Sequence, residues 1–187
     1  MTHSRGLPRP LAALDAFSDY LGKALSWLIL AMMAVQFLIV VLRYALSINS
    51  IPMQESVMYM HALVFLLAAA FTLKHDGHVR VDIFYRDMSP RKKAWVDLLG
   101  TVFLLLPVMI FTIVASLGYV AKSWAIFEGS PDAGGIHGVF LLKTLIPLFA
   151  GLMIVQGLVE ILRNALIISG RLDPSTKDHD AADEERL

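Results

Sequence analysis

The sequence predicts an all-α membrane protein with four transmembrane helices, and composition carries most of that prediction. Of the 187 residues, 57% are hydrophobic and only 17% are charged, whereas a soluble domain carries about 25% charged residues. The charges gather near both ends of the chain and between residues 74 and 93, which leaves long uncharged runs between them. This distribution is typical of a chain that crosses a bilayer several times.

Four apolar runs supply the predicted spans. A hydrocarbon core of about 30 Å needs about 20 helical residues, and only a helix satisfies the backbone of such a segment in lipid. Pro107 and Pro147 fall inside the third and fourth runs and predict kinks there. The expected helices cover residues 24–46, 54–73, 95–121 and 141–162.

Lysine and arginine in the short connections predict the orientation. They are concentrated before the first run, between the second and third, and after the fourth, whereas Arg43, Lys122 and Lys143 are the only ones on the other side. Because basic loops stay in the cytoplasm, we expect both termini to be cytoplasmic. The chain then divides into a cytoplasmic segment (1–20), a transmembrane domain (21–168) and a disordered cytoplasmic tail (169–187).

The amino terminus is not expected to be a signal peptide. Such a peptide has a short basic start followed directly by an apolar core. Here Asp15 and Asp19 precede the first apolar run. We therefore interpret the chain as unprocessed.

The connection "KHDGHVRVDIFYRDMSPRKK", residues 74–93, is predicted to hold a short interfacial amphipathic helix between the second and third spans. Its apolar residues recur at helical spacing, and Asp82 and Arg86 form an i,i+4 pair on another face. Ser89 and Pro90 are the expected N-cap and first residue of the next helix. The apolar face consists of Val81, Phe84, Tyr85 and Met88.

The same connection contains histidines and aspartates that raise the question of a metal site. His75, Asp76, His78 and Asp82 are the candidate ligands. A His-x-x-His pair alone is a weak signal, and no third ligand stands at zinc-site spacing. A solvated basic loop with its countercharges is the favoured interpretation, and no metal is predicted.

No cofactor, catalytic site or nucleic-acid partner is predicted. The chain has no cysteine and a net charge of zero, which excludes thiol chemistry and gives no basic surface for nucleic acid. A membrane cytochrome needs paired histidines, and only His61 lies inside a span, where an interhelical hydrogen bond or an interfacial position is favoured over ligation. No Ser–His–Asp set or phosphate-binding loop can be assembled, so the protein is predicted not to be an enzyme.

Polar residues of the spans predict helix association more than ion conduction. The acids Glu55, Asp97 and Glu160 all stand near the ends of spans, whereas an ion path needs ionisable groups well inside the bilayer. Gln36 and Gln156 are mid-span groups that can form hydrogen bonds between helices. We therefore expect four helices without buried charge.

Two features of the outward side carry specific hypotheses. Arg43 and Glu55 are predicted to pair across the short turn between the first two helices, although either could contact another subunit or a lipid phosphate. The second connection, residues 121–140, is predicted to help form a docking surface, with Trp124 and Phe127 anchored at the membrane interface. A plain interfacial turn is the alternative for this second connection.

Residues 42–93 resemble the small membrane subunit, of the DctQ type, of tripartite ATP-independent periplasmic (TRAP) transporters. The similarity extends over about residues 20–168 through the four-helix layout. An Arg-aromatic pair closes the first helix, an acid opens the second, and a loop of the form "GHxRVD" follows it. The matching residues are Arg43 and Tyr44, then Glu55, then Gly77, His78, Arg80, Val81 and Asp82.

This resemblance implies a subunit of an importer in a bacterial inner membrane. In such systems a periplasmic binding protein captures a substrate, usually an organic acid, and a large multi-span permease carries it inward by sodium symport. The resemblance implies that the small subunit braces the permease in the lipid membrane and helps the binding protein to dock. A self-assembling four-helix channel or small exporter, and a membrane enzyme subunit, are the alternatives.

Overall fold

The computed structural model describes residues 9–78, 83 and 85–172, and within them every regular element is helical. Residues 79–82 and 84 of the long connection, and the two chain ends, lie outside the described residues. The helices are α1 (Arg9–Ala45), α2 (Ile51–Leu67), α3 (Ala69–Lys74), α4 (Pro90–Gly100), α5 (Leu106–Ala125) and α6 (Val139–Ile168), with a π-helical turn at Thr101–Leu105.

Among the described residues, four helical stretches are long and apolar enough to cross a membrane. They cover Ala16–Ala45, Ile51–Lys74, Pro90–Ala125 and Val139–Ile168. The prediction of an all-helical chain with four helices long and apolar enough to span a membrane is therefore confirmed for the described residues. The helix of the first span begins at Arg9, well before the apolar run that starts at Ala24.

Two of the spans are made of consecutive helical segments. The second span is interrupted at Ala68, where α2 ends and α3 begins. In the third span, the Leu106 amide donates to the Thr101 carbonyl five residues earlier. Pro107 follows at once and has no amide hydrogen to give Phe103, so the wider register accommodates the lost hydrogen bond. Where the sequence predicts a kink at Pro107, the structure has a π-helical turn immediately before this residue.

Helix α6 lies at the centre of the bundle and contacts every other helical segment. Its buried side chains include the apolar Leu145, Ala150, Met153 and Val159. Large apolar side chains of α1 and α5 point away from it, such as Phe37 and Phe111. This inside-out distribution is expected where lipid, not water, surrounds the helices.

The contacts define two ends of the bundle. The loop end holds the connections 46–50 and 126–138, and the basic end holds the start of α1, the 75–89 connection and the residues after α6. At the basic end Leu172, which the sequence assigns to the tail, is buried against Ala94 and Ile167. The rest of that tail, residues 173–187, and the segment 1–8 lie outside the described residues.

The 75–89 connection is described only in part. Ser89 has an extended backbone before Pro90, the first residue of α4, as expected, but its hydroxyl makes no capping hydrogen bond. Tyr85 and Met88 lie in turns. Val81 and Phe84, which complete the predicted apolar face, and Asp82 of the Asp82–Arg86 pair lie outside the described residues. The interfacial helix therefore stays a prediction.

Gly157 allows α6 to approach the third span closely, and a larger residue there should destabilise the bundle. A Cβ atom at this position would lie 2.9 Å from Leu105 Cδ2 and 3.4 Å from Thr101 Cγ2. We expect Gly157→Leu to lower the free energy of unfolding by about 1–3 kcal/mol through overpacking, measured by thermal unfolding in detergent. Gly151→Leu on the same helix is the control, because no atom lies within 4 Å of its Cβ position. Equal losses in the two variants would contradict this packing.

Candidate functional site

The carboxylate of Glu55 holds the loop end of the bundle together. One oxygen, Oε1, accepts a hydrogen bond from the Ser130 hydroxyl, and the other, Oε2, accepts one from the Ile136 amide at 2.5 Å. Glu55 stands in the first turns of α2, whereas its partners belong to the 126–138 loop between α5 and α6. This contact, here named the Glu55 clasp, joins the second span to the loop that connects the third and fourth spans.

Small residues let the loop come this close to the carboxylate. A Cβ atom at Gly135 would lie 2.6 Å from Glu55 Oε1. Gly134 has a φ of +81°, a left-handed conformation that glycine adopts without strain. The loop also closes on itself, since the Ser130 amide donates to the Ile136 carbonyl at 3.2 Å. Gly134 and Gly135 therefore form part of a defined turn.

Three aromatic rings pack beside the clasp. The Trp124 ring lies edge-on to Phe140, with centroids 4.7 Å apart, and Phe127 lies 5.6 Å from Phe140 in the same manner. Trp124 Nε1 donates to the Thr144 hydroxyl at 2.8 Å. Both Trp124 and Phe127 remain exposed. Both rings lie at the loop end of the bundle, and their anchoring at the membrane interface stays a prediction.

An ion pair closes the other side of the loop. Lys143 Nζ lies 2.5 Å from Glu128 Oε2 and 4.0 Å from the centre of the Tyr119 ring. The hydrogen bond from Lys143 lowers the pKa of the Glu128 carboxyl. The pair therefore contributes stability above the ordinary glutamate pKa, and this contribution is lost as the pH falls through the lowered value.

Arg43 does not take the partner that the sequence suggests. Both Glu55 oxygens are engaged by the 126–138 loop, and Arg43 is exposed at the end of α1. The predicted Arg43–Glu55 pair is therefore wrong in this structure. Antiparallel neighbours α1 and α2 bring the two residues to the same end, but the loop offers Glu55 a hydroxyl and a backbone amide directly above it. Tyr44 is also exposed, at 81%.

At the basic end a cluster of polar side chains joins the first span to the second. Lys74 Nζ lies 2.5 Å from Asp19 Oδ1, and His75 Nε2 lies 3.5 Å from the same oxygen. The His75 ring also packs on Phe71, and its Nδ1 lies 2.9 Å from the Phe71 carbonyl. Asp19 belongs to α1, so this cluster fixes the start of the first span against the end of the second.

Helix α6 carries buried polar groups at the same end, contrary to the expectation of four helices without buried charge. The Ser18 hydroxyl donates to Gln156 Oε1 at 2.9 Å, and Arg163 Nη1 donates to Glu160 Oε1 at 2.9 Å. Glu160 is 6% exposed and Arg163 3%. Asn164 is equally buried, and its amide has no hydrogen-bond partner among the described residues. The bond of Gln156 agrees with its predicted role between helices. Proximity to a span end concealed the burial of Glu160 and Arg163, because end residues usually reach water.

A cavity of about 740 Å³ opens beside this polar cluster. Its polar walls include Asp76, Asp97 and Glu160, and its apolar walls include Leu105 and Met153. The Tyr85 hydroxyl donates to Asp97 Oδ2 at 2.8 Å. The carboxylate of Asp97 thus ties the 75–89 connection to the start of the third span.

The loop residues singled out by the family resemblance are only partly placed. Gly77 donates its amide to the Thr72 carbonyl at 2.9 Å and so ends the second span, whereas His78 is exposed at the cavity. Arg80 and Asp82 lie outside the described residues. The described residues contain no group of three or more metal-binding side chains, and they do not include Asp82, one of the four candidate ligands.

Loss of the Glu55 clasp should loosen the 126–138 loop without unfolding the spans. We expect Glu55→Ala to speed hydrogen exchange of the Ile136 amide, because that amide loses its acceptor. Glu55→Gln keeps acceptor capacity and should give a smaller change. Arg43→Ala is the matched control, and faster exchange at Ile136 in this variant would contradict the assignment of Glu55 to the loop alone.

Breaking the buried pair on α6 should cost far more than removing an exposed arginine. We expect Arg163→Met to lower the free energy of unfolding by about 3–5 kcal/mol, because the buried Glu160 carboxylate loses its contact with the Arg163 guanidinium. The double variant Glu160→Gln with Arg163→Met should recover part of this loss. Arg171→Met, at an exposed position, should change stability by less than about 0.5 kcal/mol. Thermal unfolding in detergent measures all three, and an equal effect at Arg163 and Arg171 would contradict the burial.

Comparison with known proteins gives one match, and it spans well over half of the chain. The family model that matches is described as "Tripartite ATP-independent periplasmic transporters, DctQ component", and it covers residues 32–166. No curated protein and no solved structure matches the chain. The matched range contains the Glu55 clasp, the cavity and the buried pair of α6. The chain therefore belongs to the DctQ family, the small permease component of TRAP transporters.

Proposed function

We propose that this chain is the scaffold subunit of a sodium-driven TRAP transporter that imports an organic acid delivered by a periplasmic binding protein. In this proposal it braces the large permease subunit within a bacterial inner membrane and carries no substrate itself. The family supports the transporter role. The sodium coupling, the substrate class and the bracing role are parts of the proposal.

The observation that carries the bracing role is the pair of polar contacts that tie the spans together at both ends. The Glu55 clasp joins the second span to the loop between the third and fourth, and the Lys74–Asp19 contact joins the second span to the first. Glu55 and Lys74 are 19 residues apart, which is roughly 28 Å of helix and close to the hydrocarbon thickness. A bundle fixed at both surfaces resists shear, as a brace must.

The basic end is proposed to face the cytoplasm and the loop end the periplasm. Six lysines and arginines lie between residues 74 and 93, whereas the loop end carries few. The exposed rings of Trp124 and Phe127 then stand on the side from which a binding protein arrives. This arrangement supports a contribution of the 126–138 loop to docking.

Labelling of single cysteines tests the orientation, since the chain has none of its own. We expect a membrane-impermeant maleimide added to intact spheroplasts to label Asp132→Cys and to leave Ser169→Cys unlabelled until the membrane is opened. Detergent-solubilised protein provides the control that both positions are reactive. The reverse labelling pattern would invert the proposed topology.

Reconstitution tests the scaffold role directly. We expect the chain alone in liposomes to give no sodium-driven uptake of organic acids, and uptake to require the permease and the binding protein. A tagged chain should co-purify with a multi-span membrane protein from its native host. Uptake by the chain alone would overturn the proposal and would favour the alternative of a self-assembling channel or exporter.

That alternative draws on one observation of the structure. Glu160 is a buried acid that lines the 740 Å³ cavity, and buried acids within membranes often mark ion paths. Its pairing with Arg163 in the next turn supports a structural role instead. Passage of ions through liposomes containing the chain alone, abolished by Glu160→Gln, is the result that would establish the alternative.

A further inference from the structure

Two polar side chains face outward from the bundle within the membrane-spanning part of the first two spans. Gln36 of α1 and His61 of α2 are both exposed, and together they line one groove between these helices. Gln36 stands nine residues before the end of α1, which is roughly 13 Å of helix. His61 stands six residues after Glu55, roughly 9 Å deeper into the bundle.

Neither side chain has a hydrogen-bond partner among the described residues. The His61 ring stacks on Phe65 of its own helix, with ring centroids 6.1 Å apart. Gln156 gives the contrast, because it is buried and bonded to Ser18. Hydrocarbon cannot satisfy an amide or an imidazole, and intramembrane polar groups usually face protein or water. The exposed pair therefore points to protein that covers it in the assembled transporter.

The groove has the size and lining to receive side chains of another helix. Its volume is about 450 Å³, and besides Gln36 and His61 its walls are Met32, Met33, Gln54, Val57 and Met58. Methionine side chains are unbranched and adapt to irregular partner surfaces. An amide and an imidazole can each donate and accept, so a serine, threonine or asparagine side chain of the occupant would satisfy them.

We propose that this groove, lined by Gln36 and His61, receives a transmembrane helix of the large permease subunit. The inference rests on the proposed function, because that function requires a second membrane component. Membership of a multicomponent transporter family favours a different chain as the occupant over a second copy of this one. The polar pair then lies inside the complex and acts as the hydrogen-bonding centre of an otherwise apolar interface.

Photocrosslinking in membranes of the native host tests which face the partner covers. A benzoylphenylalanine at Met33 or Met58 should form a crosslink to a multi-span protein identified by mass spectrometry. The same probe at Phe111 or Val114, exposed on α5, serves as the control and should react with lipid. Crosslinks from α5 alone, crosslinks between two copies of the chain, or lipid labelling at every position would each overturn the inference.

Substitution of the polar pair tests its contribution to association. Gln36→Leu and His61→Leu should leave the thermal unfolding of the isolated chain unchanged, because neither group bonds within it. Each should weaken association with the permease by about fivefold, the effect of one interhelical hydrogen bond in a membrane. Gln156→Leu is the matched control and should destabilise the isolated chain. Destabilisation of the isolated chain by Gln36→Leu, or unchanged association, would overturn the inference.

These experiments distinguish a failure of the proposed function from a failure of the groove assignment. If the tagged chain brings down no membrane protein from its host, the proposed function fails and the groove has no such partner. If the permease co-purifies but crosslinks elsewhere and tolerates both leucine variants, the scaffold function stands and the assignment of this groove is wrong.

Discussion

Desolvation of polar groups is the constraint on which this structure depends. In hydrocarbon every amide, carboxylate and imidazole needs a partner supplied by protein, and the chain places most of its partners in two layers. Glu55 meets a hydroxyl and a backbone amide at the loop end, and Lys74 meets Asp19 at the other. Helix α6 stands between these layers and contacts every other helical segment, so its position is fixed by packing along its length and by polar contacts near its basic end.

The two layers of polar contacts differ in how much of their surroundings is exposed or buried. The Glu55 clasp rests on a loop whose glycines permit a close turn, and it leaves the rings of Trp124 and Phe127 at the surface. The basic end is denser, with Glu160 and Arg163 buried and a large cavity beside them. In the proposed function, the loop end would meet a soluble binding protein and the spans would meet the permease, and unequal ends suit these two different contacts.

Hydropathy and charge were sufficient to predict the four spans, because apolar runs of membrane length have few other solutions. The hydrogen-bond partners of the charged side chains were less predictable. Arg43 and Glu55 are close in sequence and opposite in charge, yet Glu55 bonds to Ser130 and Ile136, which are remote in the chain. The burial of Glu160 was also hidden, since only the packing of α6 against its neighbours distinguishes a buried end residue from a solvated one. Gln36 and Gln156 both stand within apolar runs of the sequence. In the structure, the Gln36 side chain is exposed, whereas Gln156 accepts a hydrogen bond from Ser18.

The π-helical turn at Thr101–Leu105 changes the phase of the whole third span. Successive residues of an α-helix are rotated by about 100° around its axis. The π-helical turn holds one additional residue in a wider turn, so the residue numbering is offset by one position between its two sides. A single helical wheel therefore assigns residues to the correct face on either side of the turn, but it does not relate the faces of the two sides to each other. Asp97 and Val108 both line the cavity, although they stand on opposite sides of this offset. Deletion of one residue within the turn would restore a regular helix and would leave Asp97 and α5 on their present faces, because the wider turn already absorbs that residue.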